Sequence, residues 1–147
     1  MRTVPDPAPP HLGPAVAPRR RLSVSTAGSP DRAEHESFGR DAFRRARGAS
    51  VRSFMPTLLG LRAPAGRLAC VSGYRAATDG ALYLEQYLQA PVEVVLGRRV
   101  GQAVGREAIV EVGNLASGGC RAAIRMVTAL PRHLLGLGHQ WIVFTAT

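Results

Sequence analysis

Apolar residues are scattered without period through the first thirty positions and fall into regular patterns only from Asp31 onward. Asp31 with Glu34 three residues on is a capping-box-like start, and Gly48 is a suitable C′ stop, so the stretch between them reads as a helix. Within it Phe38, Ala42 and Ala46 recur every four residues with arginines on other faces, although Gly39 weakens the middle. Phe54-Met55-Pro56 then leads into Leu58-Leu59-Gly60-Leu61, a strand or a short packed segment. The turn residues Pro64–Gly66 precede RLACVSGYRA (Arg67–Ala76), whose apolar centre predicts a strand. ALYLEQYL (Ala81–Leu88) places Leu84 and Leu88 four apart beside Tyr83 and Tyr87, which predicts a short helix. After Pro91 the β-branched Val92, Val94 and Val95 leave the state open.

Residues 107–112 (EAIVEV) predict a strand and Gly113–Gly119 a glycine-rich loop. From Cys120 a helix follows, with Ala123, Met126, Val127, Leu130, Leu134 and Leu137 on one stripe and Arg121, Arg125 and Arg132 largely on the other face. Pro131 should kink or split this helix, and Gly136 and Gly138 should end it. Trp141–Thr147 then predicts a strand. Strand, loop, helix and strand form a βαβ unit with parallel strands and a right-handed crossover, which places the fold in the α/β or α+β class. A parallel strand this apolar expects cover on both faces. Nothing follows Thr147 to supply it, so the expectation is a domain shortened at its C-terminus, or a dimer in which a second copy covers this strand.

Seven of the eleven prolines lie within residues 1–30. That stretch reads as a disordered Pro/Arg-rich leader, because it has too little apolar surface to offset its ordering entropy, and residues 31–147 read as one domain. The leader lacks the apolar core of a secretory signal, and its prolines break the amphipathic pattern of a transit peptide. A misplaced start codon would produce the same appearance.

Charge changes this picture little. All 19 basic residues are arginine, against 10 acids, for a net charge of +9. Nucleic-acid binding and a coding bias that replaces lysine both account for that excess. Ten arginines fall in residues 1–55 and nine in 56–147, clustering only at Arg19–Arg21 and at Arg44, Arg45 and Arg47, so no strong nucleic-acid signal emerges. No stretch approaches the ~18 consecutive apolar residues of a membrane-spanning helix. Cys70 and Cys120, fifty positions apart, make neither a disulfide framework nor a metal site and suit a cytoplasmic protein.

Four features carry candidate chemistry. Ser117, Gly118 and Gly119 would place unobstructed N–H groups at the positive end of the following helix, where a phosphate would be favoured, although an ordinary βα turn looks the same. Neither a P-loop nor a GxGxxG is present. Glu111 stands in an otherwise apolar strand and Glu85 between Leu84 and Tyr87; either is a candidate general base or binder of a cationic group, the other then holding Arg75 or Arg106. Plain Arg–Glu pairing is the structural alternative. Cys120 at a helix start has the position of an activated thiol but no neighbouring histidine. His11 and His35 lie in or near the leader, and Tyr74, Tyr83 and Tyr87 read as core residues.

FMPTLLGL (54–61), GYRAA (73–77), LYLEQYL (82–88), IVEVGNLAS (109–117) and WIVFTAT (141–147), in this order, resemble the bacterial thermostable hemolysin family over roughly residues 45–147. That family's pattern is similar to the GNAT acyltransferase superfamily and, more remotely, to acyl-homoserine-lactone synthases. The resemblance implies a GNAT-like mixed sheet flanked by helices, with residues 107–112 as the central strand and 141–147 splaying away from it. It implies acyl-CoA or acyl carrier protein phosphopantetheine as co-substrate, with Asn114, Ser117, Gly118, Gly119 and Cys120 at the donor. Arg75, Glu85, Glu111 and Asn114 would line the site, with Glu111 or Glu85 deprotonating an amine and Arg75 contacting substrate. The loop departs from the usual GNAT Q/R-x-x-G-x-G/A, and the family pattern continues past FTAT, so little or no activity is expected of a chain ending there. The family's name implies a membrane-active haemolytic protein instead, and a basic nucleic-acid-binding protein is the third reading.

Overall fold

The computed structural model describes residues 22–145. Strands β1 (Leu22–Ser25), β2 (Thr57–Arg62), β3 (Leu68–Ala76), β4 (Ile109–Ser117) and β5 (Trp141–Val143) form one sheet in sequence order. The first four are antiparallel and β5 runs parallel to β4, so the sheet is mixed. Helices α1 (Arg32–Arg47), α2 (Val92–Val100) and α3 (Cys120–Gly136) pack on it, with 3₁₀ turns at Ala77–Asp79, Tyr83–Tyr87 and Arg106–Ala108. This is the α+β arrangement expected from the sequence.

The alternation of side chains along β2, β3 and β4 divides the core in two. On one face Leu59, Leu61, Cys70, Tyr74 and Val110 meet Met126, Leu130 and Leu134 of α3. Burying three large side chains of α3 at about 1.5–3 kcal/mol each is what holds that helix on the sheet. On the other face lie α1 and, further along, a second cluster of Ala77, Leu82, Val92 and Ile109. The long connection between β3 and β4 is therefore anchored by its own small core.

Several elements differ from the sequence reading. The expected leader ends earlier than Pro30, because Leu22–Ser25 pair with Leu58–Leu61 as β1. A backbone ladder to β2 stabilises a segment whose composition alone could not hold it. Residues 1–21, with His11 and Arg19–Arg21, lie outside the described residues. In α1 the buried stripe is His35, Gly39 and Ala42 rather than Phe38, Ala42 and Ala46. Gly39 is part of the packing, since a Cβ there would lie 2.8 Å from the Phe54 ring. The capping box does not form; Asp31 makes no side-chain cap bond and Glu34 pairs with Arg62.

Further along, Val92–Val100 is helical in spite of its β-branched residues, with Pro91 at the N-cap and Val92 buried. Strand β4 continues to Ser117 where a loop was expected; Ala116 pairs with Val71 and Ser117 with Cys70 past a bulge. Helix α3 runs unbroken through Pro131. Pro131 and Val127 are both exposed, so the carbonyl that the proline leaves without a donor meets water. Strand β5 stops at Val143; Ala146 and Thr147 lie outside the described residues.

His35 of α1 reaches the edge strand β1. It is fully buried, with Nδ1 2.7 Å from the Ser25 hydroxyl and Nε2 3.1 Å from that of Ser23. The Ser23 hydroxyl donates to the Gly60 carbonyl, so it accepts from Nε2–H, and Nδ1 accepts from Ser25. A neutral ring thus pins β1 to α1.

Burial pushes the His35 pKa down, with Arg62 and Arg32 acting the same way and Asp31 and Glu34 opposing them. The unfolded chain takes up this proton near the ordinary 6.5, while the folded chain resists it until lower pH. Stability should therefore be greatest above that value and fall on acidification below it. Urea midpoints at about pH 7.5 and about pH 5.5 should differ measurably less for His35→Gln than for the parent. Equal differences would show that His35 does not titrate on unfolding.

Candidate functional site

Glu111 is the last residue of β4 to pair with β5 and is 2% exposed. A carboxylate there needs donors, and it receives them from the backbone: Oε2 accepts the Tyr83 N–H at 2.8 Å and Oε1 the Leu84 N–H at 2.7 Å. The turn Tyr83–Tyr87 therefore sits with its first amides on the carboxylate. Arg75 is the direct cross-strand partner of Glu111, and its guanidinium donates to the Ala81 carbonyl at 3.2 Å. Both side chains line an open cavity of about 400 Å³, together with Ser53, Met55, Tyr83 and Asn114.

Asn114 closes one rim. It adopts φ 51°, its Oδ1 accepts the Met55 N–H at 2.7 Å, and its Nδ2 donates to the Ser53 carbonyl at 3.4 Å. Met55 lies across Gly73 and Gly113, which are cross-strand partners. A Cβ on Gly73 would come within 2.6 Å of the Met55 Cβ, and one on Gly113 within 2.8 Å of its Cε. Two glycines in facing strands thus let residues 53–55 lie flat on the sheet.

Beside this cavity the sheet opens. Strands β4 and β5 pair from Ile109↔Trp141 to Glu111↔Val143 and then part. The space between them is an apolar groove of about 650 Å³, walled by Leu115 of β4, Val127, Leu130 and Pro131 of α3, and Ile142 and Phe144 beyond. Val112, Gly113, Asn114 and Thr145 border both spaces, so groove and cavity are continuous. The Thr145 hydroxyl oxygen is buried there without a hydrogen-bond partner among the described residues.

The remaining candidates stand elsewhere. Glu85 does not face the cavity; its carboxylate holds the Arg106 guanidinium at 2.8 Å through each oxygen and accepts the Leu82 and Val92 N–H groups. Hydrogen bonding from Arg106, with those two amides adding to it, lowers its pKa to about 2, which removes Glu85 as a base near neutrality. Arg106 also binds Glu93 and the carbonyls of Ala77 and Gly80, so this network fastens the 77–93 connection. Ser117, Gly118, Gly119 and Cys120 lie at the far end of β4, about 20 Å along the strand from Glu111. The Gly118 N–H donates to the Ala69 carbonyl and the Gly119 N–H to the Ser117 hydroxyl, so neither is open to a phosphate; Cys120 is exposed.

Tyr83, Met55 and Thr145 are site residues that the sequence reading did not single out. Tyr83 read as core, yet it is 56% exposed and stacks edge-on with Tyr87. Met55 had part of a signal: Gly73 within a strand pattern announces a close approach. Among the described residues no cluster of three His, Cys, Asp or Glu side chains can hold a metal ion, and no helix is long and apolar enough to cross a membrane.

The chain matches the thermostable hemolysin family over residues 25–147, a span that begins at the end of β1 and includes both β4 and β5. No curated protein and no solved structure matches it. The protein belongs to the thermostable hemolysin family.

Replacing Arg106 with Met leaves the Glu85 and Glu93 carboxylates without their cation. The half-screened position of the pair sets the expected loss at about 1–3 kcal/mol in denaturant unfolding near neutrality. Because the Glu85 pKa is depressed, that contribution is present above its ordinary 4.5 and is lost as pH falls through about 2. The difference between parent and variant should therefore shrink on acidification; a constant difference would mean that packing, not charge, is responsible.

Proposed function

We propose that this member of the thermostable hemolysin family is an acyltransferase of GNAT-like architecture, which moves an acyl group from acyl-CoA or acyl carrier protein to an amine. The observation that carries this reading is the parting of two parallel strands after Glu111 and Val143, which opens an apolar groove directly onto a polar cavity containing a carboxylate. Past Glu111 the β5-facing edge of β4 has no strand partner among the described residues. Its main-chain groups are open to the amides of a pantetheine arm, in the manner of an added strand. The apolar walls then take the arm's methylene groups and the acyl chain.

The donor's phosphates would lie near Ser117, Gly118, Gly119 and Cys120. Since the amides of Gly118 and Gly119 are already bonded, the attraction comes from the first turn of α3 and the exposed Arg121 and Arg125. The glycines contribute by leaving room.

Glu111 is the base in this scheme. Its two backbone donors hold it in one orientation and leave it lone pairs for an amine. It takes a proton from the acceptor ammonium, and the freed amine attacks the thioester carbonyl. The C–N bond forms, the C–S bond breaks, and the departing thiolate is protonated by the amine proton released in that step. Asn114 keeps residues 53–55 over the site, and Glu85 with Arg106 steadies the turn that grips Glu111. These two are positioning groups.

In calorimetry, acyl-CoA should bind the full chain, and Val127→Asp, which puts a charge on the groove wall, should weaken it about tenfold, or about 1.4 kcal/mol. Glu111→Gln should leave donor binding intact while lowering transfer by about 10²–10⁴. Absence of binding by both acyl-CoA and acyl carrier protein, or indifference to Val127→Asp, would sink the proposal.

A further inference from the structure

Arg75 and Glu111 are direct partners in the β3–β4 ladder, so their side chains leave the same face of the sheet with Cβ atoms about 4.5–5.5 Å apart. They nevertheless do not neutralise each other. Among the described residues the Arg75 guanidinium makes one hydrogen bond, to the Ala81 carbonyl, and Glu111 is satisfied by the amides of Tyr83 and Leu84. Glu85 and Glu93 are taken as well, since both bind Arg106. A cation with most of its five N–H donors unused and an anion with spare lone pairs thus stand side by side on the wall of one cavity of about 400 Å³. The Thr145 hydroxyl on the same wall has no partner among the described residues.

We infer that this cavity takes an acceptor carrying both an amine and a carboxylate, in the geometry of an α-amino acid. A simple anion would satisfy Arg75 but meet the Glu111 carboxylate next to it. A simple amine would satisfy Glu111 and leave the guanidinium unpaired. A zwitterion satisfies both: its carboxylate receives the guanidinium donors and its ammonium donates to Glu111, each a charge-assisted hydrogen bond. The ligand's side chain then points toward the mouth of the cavity, where Tyr83 is 56% exposed. The inference deepens the acyltransferase reading by naming its acceptor class, while recognition of the zwitterion stands on Arg75 and Glu111 alone.

The test is calorimetry on the full chain with glycine, leucine and phenylalanine, each beside its methyl ester, which lacks the carboxylate, and its N-acetyl derivative, which lacks the amine. At least one amino acid should bind about tenfold more tightly than both of its derivatives. Arg75→Met should abolish the preference over the ester and Arg75→Lys should restore part of it. Glu111→Gln should abolish the preference over the N-acetyl form, with near-ultraviolet circular dichroism confirming native packing in each variant. Equal affinity within every series, or no binding by any amino acid, overturns the inference. A parallel acyl-CoA titration separates the two proposals: donor binding with a flat amino-acid series overturns the acceptor class and leaves transfer standing. An ordered amino-acid series without donor binding overturns transfer and leaves zwitterion recognition standing.

Discussion

A carboxylate in the middle of a sheet has to be given donors, and meeting that requirement for Glu111 organises half of this molecule. The donors are backbone amides, so a turn of chain must lie across the sheet at that point, and it is the turn at Tyr83–Tyr87. A short 3₁₀ turn has little stability of its own. It is held from outside, by Glu85 gripping the Arg106 guanidinium and by a small core around Leu82, Val92 and Ile109. Glu85 and Glu111 looked interchangeable as bases in the sequence only because their surroundings were invisible; one is tied to a guanidinium and the other is bordered by a cavity.

The other half of the site depends on emptiness. Gly73 and Gly113 face each other across β3 and β4, and the missing side chains admit Met55 onto the sheet. Asn114, in a left-handed conformation at the bulge, then fastens the same segment by its amide. Close packing on one side of β4 and separation from β5 on the other leave the polar cavity and the apolar groove as neighbours. That adjacency, more than any single residue, distinguishes a site that can bring two unlike substrates together from an ordinary cleft.

Charge plays a narrower part than the composition promises. The excess of arginine serves local ends: Arg62 joins the start of α1 to β2, Arg106 holds a connection, and Arg32 donates to the carbonyls ahead of β2. Arg75 instead faces a cavity that also holds an acid it does not bind. A cation that no acid among the described residues pairs with is better understood through what it can bind than through what it stabilises.

Strands β3, β4 and β5, helices α1 and α3 and the short helical segment after Ala81 were legible in the sequence because hydrophobic spacing is local information. So was the singular position of Glu111 in an apolar strand, and the family was legible in the ordered motifs around it. What the sequence could not decide was set by pairing between distant segments. Leu22–Ser25 became a strand only because β2 offered an edge. Gly113–Ser117 remained in the sheet because β3 was there to pair with them. The division of roles between Glu85 and Glu111, and the loss of the Gly118 and Gly119 amides to Ala69 and Ser117, came from the same source. The sequence by itself determined which segments prefer to be helix or strand and which residues carry charge. Only the tertiary structure decided which of those charges and amides would be used up within the fold, because a hydrogen bond depends on the position of its partner in space and not in the chain.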